Sequence, residues 1–497
     1  MRVRSYGKGG RVISRFASVF YILGILIAGF GALMLIPLAI SWLTADGAHS
    51  AYDEAVLITF ATGALLALSV RGKRREMQVR ESFLLVALIW SLLPAFGALP
   101  LYLHIDGLSW TDAYFEAVSG LTATGATVLS GLDALPVSIN FWRTFMHWVG
   151  GLGVVVLAVA ILPLLGIGGR SMFKAETPGP MKDSRVTPRI TEAAKGLWVV
   201  YVILTAACAV ALLHAGMDPW DALMHAFSVM GLGGFSTKDA SLGHFNSLEI
   251  ELVVIFFALL AGINYTTHFL VFTKRSLHPY RVDVEAHYFL AVLALSSVLL
   301  SLWLMPDAIY GDFLTTLRYV AFHSVSVATS LGFATTDYGQ WPIFAQMWIL
   351  FLCTFAACSG SAGGGIKMIR AVILYKQVFR ELMRAMHPRS VLNVRFGRMT
   401  IPDTVLHSIL GFMFIYVVTT VSLTLLLMAT RLDPVTSLSA VVACLNNTGP
   451  GLNLVGPSTT YAVLTDFQTW VCTWAMLLGR LEIFTLLVVL MPAFWRR

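Results

Sequence analysis

The feature that most constrains this chain is a series of long apolar runs without charge. Residues 17–43 and 404–430, for example, contain no Asp, Glu, Lys or Arg. Hydrophobic residues make up 57% of the chain and charged residues 12%, whereas soluble domains carry about 25% charged residues. About 20 apolar residues are enough to cross a bilayer as a helix. The sequence therefore predicts an all-α polytopic membrane protein and excludes a soluble globular one.

The apolar runs predict ten spanning helices separated by polar loops. They lie at 17–43, 52–70, 82–103, 140–166, 190–215, 248–273, 285–305, 344–380, 402–430 and 466–494. Alternate loops hold 28 of the 34 Lys and Arg residues, and the loops opposite them are acidic. Because basic loops stay in the cytoplasm, both termini are predicted to be cytoplasmic. The acidic loops are expected to concentrate cations at an external mouth.

Four predicted external loops share one design, a semi-apolar segment too short to cross followed by a glycine-centred turn. These pore loops lie at 109–130, 218–237, 311–336 and 432–453. Aligning them on one glycine matches four dipeptides, Thr124-Gly125, Gly233-Gly234, Leu331-Gly332 and Thr448-Gly449. Each loop sits between two spans, so the pattern predicts four pseudo-repeats of helix, pore loop and helix around a central cation pore. The predicted units are an N-terminal helix pair at 1–76 and repeats at 77–170, 171–276, 277–390 and 391–497.

Glycine turns at membrane depth have a chemical implication. Irregular backbone survives there only when it is buried in protein or lines a watery path. Glycine adopts the backbone angles that aim successive carbonyl oxygens at a desolvated cation. The sequence thus predicts a potassium filter at the four dipeptides. The alternative is that these glycines only let helices pack closely. The four turns are chemically unequal, which leaves selectivity over sodium open.

Two further features are predicted on the cytoplasmic side of the filter. Arg480 falls in the last predicted span. A charged side chain within a membrane is energetically costly, so such a residue is interpreted as functional. It either faces the pore as a barrier to cations or is held by Glu482 or by helix carbonyls. Gly363, Gly364 and Gly365 interrupt the eighth span, because each glycine destabilises a helix by roughly 1 kcal/mol. They predict either a loop across the permeation path or a simple kink.

Three polar residues occupy equivalent places in the pore loops. Glu116, His225 and His323 each precede the aligned glycine by nine residues. They are interpreted either as a proton relay, since histidine titrates near neutrality, or as hydrogen-bonding partners of the filter backbone. Arg143, in the fourth span, is predicted to pair with Glu116 or Asp112 and to brace the first pore loop.

The chain resembles a known family over nearly its whole length. The resemblance is carried by FWRTFMHWVGGLGV (141–154), ETPGPMKDSRVTPRITEAAKGLW (176–198), LAGINYTTHF (260–269), CSGSAGGGIKMIRA (358–371) and MLLGRLEIFTLLVVLMPAFWRR (476–497). These segments are similar to those of the membrane subunit of the Trk potassium-uptake system (TrkH/TrkG), in the Trk/Ktr/HKT superfamily. The two helices before the first repeat fit the Trk branch.

The resemblance implies a low-affinity potassium-uptake pathway in a bacterial inner membrane. It implies K⁺ as the bound and transported ion, a homodimer, and regulation by a cytosolic nucleotide-binding partner of the TrkA type. It also implies that residues 358–367, which include Lys367, form an intramembrane gating loop. Coupling of K⁺ flow to H⁺ or Na⁺ is left open.

Other classes of function fit the sequence less well. A membrane enzyme would need convergent acid, base and metal ligands at one depth, and the sequence contains no HExxH motif. A purely structural scaffold would not need four external glycine turns. No dinucleotide-binding fingerprint occurs in a strand–turn–helix context, so nucleotide control is expected from another chain. The net charge of +7 follows the cytoplasmic loops and does not indicate nucleic acid binding.

Overall fold

A computed structural model describes residues 16–73, 77–153, 190–397 and 399–496. Helices are numbered here in chain order within this described part. The N-terminal part and first repeat contain α1 (Ala17–Leu33), α2 (Leu35–Thr44), α3 (His49–Val70), α4 (Val79–Gly97), α5 (Leu99–His104), α6 (Trp110–Thr122) and α7 (Val137–Trp148). A π-helical segment, Val149–Gly153, continues α7. The second repeat contains α8 (Ile190–His214), α9 (Pro219–Gly231), α10 (Leu248–Gly262) and α11 (Tyr265–Lys274).

The remaining two repeats follow the same order of elements. The third contains α12 (His278–Val282), α13 (Val284–Leu304), α14 (Phe313–Ala328), α15 (Ile343–Cys353) and α16 (Met368–Met386). The strands β1 (Arg395–Phe396) and β2 (Met399–Thr400) pair antiparallel, with Arg395 opposite Thr400 and Phe396 opposite Met399. The fourth contains α17 (Asp403–Ala429), α18 (Pro434–Leu445), α19 (Asp466–Arg480), α20 (Phe484–Leu490) and α21 (Pro492–Trp495).

The structure confirms a polytopic helical membrane protein but does not reproduce ten spans. Within the described ranges, six helical segments are long and apolar enough to cross a membrane. The number rises to eight if each of two bent helix pairs counts as one span. The fourth predicted span, 140–166, is helical as far as the π segment, and its second half lies outside the described residues. The 11-residue helix α15 is about 16 Å long and cannot cross alone.

Two predicted spans are broken rather than continuous. The α10–α11 pair bends by 93° and the α19–α20 pair by 111°. At the first break the Gly262 carbonyl accepts from the Cys358 amide (3.1 Å), and the Tyr265 amide donates to the Gly360 carbonyl (3.1 Å). At the second, Ile483 has a positive φ of 57°, which a helix cannot contain. Long-range backbone partners compensate the lost helical bonds at the first break. The backbone bonds at the second break are local, as from the Ile483 amide to the Leu478 carbonyl at 2.7 Å. Apolar length alone indicates neither break.

The four short helices α6, α9, α14 and α18 lie at the centre of the molecule. Nearly every residue of α6 from Ala113 to Thr122 is buried, and α18 is buried in the same way from Ser439 to Leu445. The outer spans expose large apolar side chains instead, as Phe414 does on α17 with 70% exposure. The bundle therefore buries its central helices, including their polar residues, and exposes apolar side chains on its outer surface. This arrangement fits a protein surrounded by lipid.

Candidate ion pathway

The four central helices begin with the same kind of cap. The side chains of Ser109, Asp218, Asp312 and Asp433 each accept a hydrogen bond from a first-turn backbone amide. Hydrogen bonds from Thr315 hold the pKa of the exposed Asp312 carboxyl below its usual range. The Ser109 hydroxyl and the three carboxylates stabilise the positive helix N-termini, and the opposite ends carry partial negative charge. All four negative ends face the segment that contains the predicted filter glycine.

The C-terminal ends of the four central helices share one backbone geometry. The residue two before each aligned glycine has a positive φ between 51° and 66°, at Ala123, Leu232, Ser330 and Asn447. The amide of the next residue donates back to a carbonyl five residues earlier, as Thr124 does to Ser119 at 2.9 Å. The aligned glycines then have φ between 80° and 91°, a region in which side chains are strained. Four divergent sequences thus share one backbone turn.

The four turns form a closed ring. A Cβ atom added to each aligned glycine would lie within 3.0 Å of a carbonyl oxygen of the next repeat. The pairs are Gly125 with Gly233, Gly234 with Leu331, Gly332 with Thr448, and Gly449 with Thr124. The first repeat therefore contacts the second, the second contacts the third, the third contacts the fourth, and the fourth contacts the first. All eight predicted filter residues take part in this ring, which places the four dipeptides around one axis.

A cavity of about 190 Å³ opens on the ring from the side of the capped helix N-termini. All four aligned glycines line it, so the ring is its floor. Lys238 and Asp239 lie on its wall. Asp239 accepts from the amides of Gly131 and Leu132, both at 3.0 Å, and so joins the first two repeats at the rim.

The residues nine before each glycine bind the chain just after the turn. Glu116 accepts from the Val128 amide at 3.1 Å, and His323 accepts from the Thr335 amide at 3.2 Å. His225 contacts the Ser236 hydroxyl at 2.9 Å. These contacts favour the interpretation that the three residues fix the filter backbone. The fourth repeat has no such residue, and there Ser439 accepts from the Leu452 amide at 2.9 Å.

Arg143 pairs with Glu116, as the sequence predicts, and not with Asp112. The closest nitrogen and oxygen are 2.7 Å apart, and neither side chain is exposed. The guanidinium also lies 4.3 Å from the ring centre of Phe235, in the second repeat. The pair therefore braces the first pore loop and joins it to the second.

The glycine run interrupts the eighth predicted span, and the interruption lies directly beneath the ring. Residues 354–367 between α15 and α16 are not helical and are called the intramembrane loop. The Gly364 amide donates to the Ser330 hydroxyl at 3.2 Å. A Cβ on Gly363 would lie 2.7 Å from the Thr329 carbonyl oxygen, and one on Gly365 would lie 2.8 Å from that of Thr354. Gly363 and Gly364 let the loop pack against the C-terminal ends of the pore helices.

Two cations hold this loop. The Lys367 side chain is 2% exposed, and its ammonium donates to the Gly363 carbonyl. Arg480 donates to the Ala362 carbonyl at 3.1 Å and, from its other terminal nitrogen, to the carbonyls of Gly150 and Gly151. Arg480 ends α19 at the 111° break, so its predicted place within a continuous helix is wrong. Its contacts with carbonyls of other segments connect the loop to the first repeat.

Glu482, the predicted alternative partner of Arg480, contacts another arginine. Glu482 lies 2.8 Å from Arg370, in the first turn of α16. The Arg370 guanidinium also lies 4.0 Å from the ring centre of Phe412 on α17. The fourth repeat therefore holds the helix that follows the intramembrane loop.

Comparison with known proteins identifies the family. A family model described as TrkH, a cation transport protein, matches residues 48–497. The chain belongs to the TrkH family. It is 46% identical over 485 residues to the Trk system potassium uptake protein TrkH of Halomonas elongata, covering 96% of this chain and 99% of that one. The corresponding Escherichia coli protein is 42% identical over 482 residues, covering 97% and 99%.

A solved structure of the same family supports the fold. The potassium transporter TrkH from Vibrio parahaemolyticus is 40% identical, with a TM-score of 0.87 over 97% of this chain and all of that one. The TrkH description is that of a transport protein and not of an enzyme. In this TrkH-family chain the cavity is lined by the four glycines of the ring, and the intramembrane loop contacts residues just before those glycines, as Gly364 does at Ser330.

Two residues of this TrkH-family site were missed by sequence reasoning. The Tyr461 hydroxyl donates to the Gly449 carbonyl at 2.9 Å, and its amide donates to the Thr127 carbonyl at 2.8 Å. Asn447 donates to the Thr124 hydroxyl at 2.9 Å. Both residues join the fourth repeat to the first. Asn447 lies two residues before an aligned glycine, which is a usable signal, whereas Tyr461 lies outside the aligned turns.

Proposed function

We propose that this chain takes up potassium ions across a bacterial inner membrane through the ring of four glycine turns. The supporting observation is the closed contact of each aligned glycine with a carbonyl of the next repeat. A ring of carbonyls replaces the hydration shell of a cation. The Trk system relatives are named potassium uptake proteins, which makes K⁺ the favoured substrate. K⁺ is then held at Thr124, Gly125, Gly233, Gly234, Leu331, Gly332, Thr448 and Gly449.

The proposal extends to the gate. Ions that leave the ring toward the cytoplasm meet the intramembrane loop, with Gly363, Gly364, Gly365 and Lys367, and then Arg480. The loop packs against the pore-helix ends. It is held by the buried Lys367 and the half-buried Arg480. A cation repels K⁺ in a low-dielectric passage. Movement of the loop, with Arg480 displaced, opens the path.

The remaining parts of the proposal rest on the family resemblance. We place both termini in the cytoplasm, because basic residues dominate the predicted cytoplasmic loops. A cytosolic nucleotide-binding partner of the TrkA type regulates the loop, and two copies of this chain form a homodimer. Addition of the purified partner with nucleotide to the liposomes described next tests this regulation.

The decisive experiment compares two glycines with the same backbone angle. Gly332 has φ 80° and faces the Thr448 carbonyl, whereas Gly311 has φ 79° and faces open space. Purified wild type, Gly332→Ser and Gly311→Ser are reconstituted in liposomes, and rubidium, potassium and sodium fluxes are measured. We expect Gly332→Ser to lower selectivity for K⁺ over Na⁺ by roughly tenfold, which corresponds to about 1.4 kcal/mol. Gly311→Ser controls for backbone strain and is expected to match the wild type.

Two results would contradict the proposal. One is equal K⁺ flux and selectivity in all three proteins, which would place the path elsewhere. The other is absence of K⁺ flux from wild type even with the nucleotide-binding partner present. Imposed H⁺ or Na⁺ gradients across the same liposomes measure coupling, since a symporter moves K⁺ uphill and a channel does not.

A further inference from the structure

A single carboxylate oxygen binds the chain on both sides of the glycine run. Glu285 Oε1 accepts from the Ser359 amide at 2.7 Å and from the Ile369 amide at 3.0 Å. Ser359 lies in the intramembrane loop before the glycines, and Ile369 lies in the first turn of α16 after them. The Glu285 residue is 7% exposed. One buried side chain therefore closes the segment 359–369 into a loop with tied ends.

The carboxylate itself is held on a fixed frame. Glu285 is in the first turn of α13, and Asp283 caps that helix by accepting from the Ala286 amide at 3.1 Å. The other Asp283 oxygen accepts from the Thr267 hydroxyl on α11 at 2.6 Å. The start of α13 is thus tied to the bent α10–α11 pair. Glu285 is thus anchored through α13 and through the α10–α11 pair, which also contacts the loop at Cys358 and Gly360.

The two bonds oppose movement of the glycine run. The loop leaves its place under the pore helices only if its ends separate or shift together, and either change breaks a bond to Glu285. Hydrogen bonds to a charged acceptor are about twice as strong as neutral ones. Backbone amides that lose a buried acceptor also bear a desolvation cost.

We propose that Glu285 is a positioning residue that holds the intramembrane loop in its closed position. This inference rests on the proposed function, because it assigns a role within the gate of that pathway. Glu285 acts through the loop and does not itself touch the ion. Its contribution comes from an acceptor oxygen that reaches two amides at once.

The test uses substitutions that separate the acceptor from the charge. Glu285→Gln keeps an oxygen at the same place but removes the charge, whereas Glu285→Ala removes both. Glu285→Asp keeps the charge but shortens the side chain by one methylene, which moves the oxygen away from the two amides. Glu251 provides the matched control, because it is also a buried glutamate in the first turn of a spanning helix, and it pairs with Arg318 at 2.7 Å. The control variant is Glu251→Ala.

Two measurements are made on the full-length protein. Single-channel recording in planar bilayers gives open probability, unitary conductance and the K⁺/Na⁺ permeability ratio. Hydrogen exchange with mass spectrometry, on protein in detergent, reports the protection of the amides at 359 and 369. A merely structural role would lower the folded fraction without changing the open probability of the channels that remain.

We expect Glu285→Ala to raise open probability and the exchange rate of both amides by about tenfold, the size of one lost charge-assisted bond. Unitary conductance and the permeability ratio stay as in wild type. Glu285→Gln lies closer to wild type than to alanine, and Glu285→Asp lies closer to alanine. If the alanine variant does not fold, the Asp and Gln pair carries the comparison.

Several outcomes would overturn the inference. Unchanged exchange in Glu285→Ala or Glu285→Asp would show that the loop is held by other contacts. Equal effects of Gln and Ala would assign the role to the charge and not to the acceptor. An equal rise in open probability in Glu251→Ala would show a general loosening. Absence of K⁺ current in wild type, with the nucleotide-binding partner present, would refute the proposed function, while the exchange data would still show whether Glu285 holds the loop.

Discussion

At the scale of single residues, a buried ion pair holds the first glycine turn of the ring. Arg143 and Glu116 are both fully buried, and Glu116 also accepts from the amide of Val128. A buried charge with no partner is much more costly than a buried pair. This asymmetry makes the Arg143–Glu116 pair a residue-level determinant of the first turn.

Removal of one partner of this pair should destabilise the protein strongly. We expect Glu116→Ala to lower the free energy of unfolding by about 3–5 kcal/mol, because Arg143 is left buried and unpaired. The exposed pair Glu381–Arg384, with exposures of 54% and 42%, is the control, and Glu381→Ala should cost no more than about 1 kcal/mol. Unfolding in mixed micelles measures both. Similar values for the two variants would contradict the assignment.

The Tyr461 hydroxyl gives a second prediction at this scale. Tyr461→Phe removes the donor to the Gly449 carbonyl, and Tyr114→Phe removes a comparable donor to the Ser91 carbonyl (2.8 Å) away from the ring. Each change should cost about 1 kcal/mol of stability. Only Tyr461→Phe should lower the K⁺/Na⁺ flux ratio in liposomes. An equal loss of selectivity in both variants would show that general stability and not filter geometry is being measured.

At the scale of elements, broken helices are the recurring device. The α10–α11 break and the intramembrane loop satisfy each other's backbone groups, through the Cys358–Gly262 and Tyr265–Gly360 bonds. The α19–α20 break places Arg480 beside the same loop. Non-helical backbone is stable in a membrane only with such partners. The three irregular segments therefore form one unit on the side of the ring opposite the cavity.

Substitutions of Arg480 test whether this unit limits K⁺ flux through its charge or through the hydrogen bonds that hold the loop. Its guanidinium reaches carbonyls on two sides, Ala362 in the loop and Gly151 in the π segment. A lysine ammonium keeps the charge but lacks the planar fork that spans both sides. We expect Arg480→Ala to raise K⁺ flux most, and Arg480→Lys, which keeps the charge but loosens the loop, to raise it by a smaller amount. Wild-type flux in Arg480→Lys, measured in the same liposomes, would instead show a purely electrostatic barrier.

At the scale of the whole molecule, the site depends on four distant segments of the chain. Gly125 and Gly449 are neighbours in the ring although more than 300 residues separate them. Each repeat supplies one turn, and all four turns share the same helix cap and the same positive-φ glycine. The fold therefore builds a pseudo-fourfold site from a single chain with unequal side chains around it.

The predicted orientation of the molecule can be measured directly. The five cysteines are all buried, so they should give little background with a membrane-impermeant maleimide. We expect Asp307→Cys to be labelled in intact cells or spheroplasts, because it follows α13 on the predicted external side. Arg389→Cys, after α16, should be labelled only once the membrane is opened. The reverse pattern would overturn the assignment of both termini to the cytoplasm.

Much of the fold follows from local sequence properties. The span predicted at 402–430 is α17, Asp403–Ala429, and the one predicted at 285–305 is α13, Val284–Leu304. Apolar length alone decides such helices, because the bilayer requires it. The same rule fails at α10–α11 and α19–α20, where the apolar runs bend by 93° and 111°. The repeat boundaries at 76, 170, 276 and 390 stay predictions.

The sequence by itself determined the membrane class, the four glycine turns and the interruption at Gly363–Gly365. These features depend on composition and on backbone freedom, both of which are properties of neighbouring residues. Only the tertiary structure decided that the four turns close into a ring, that Arg480 meets the intramembrane loop, and that Glu285 holds that loop. Each of these is a contact between residues far apart in sequence, and no local pattern carries information about its partner.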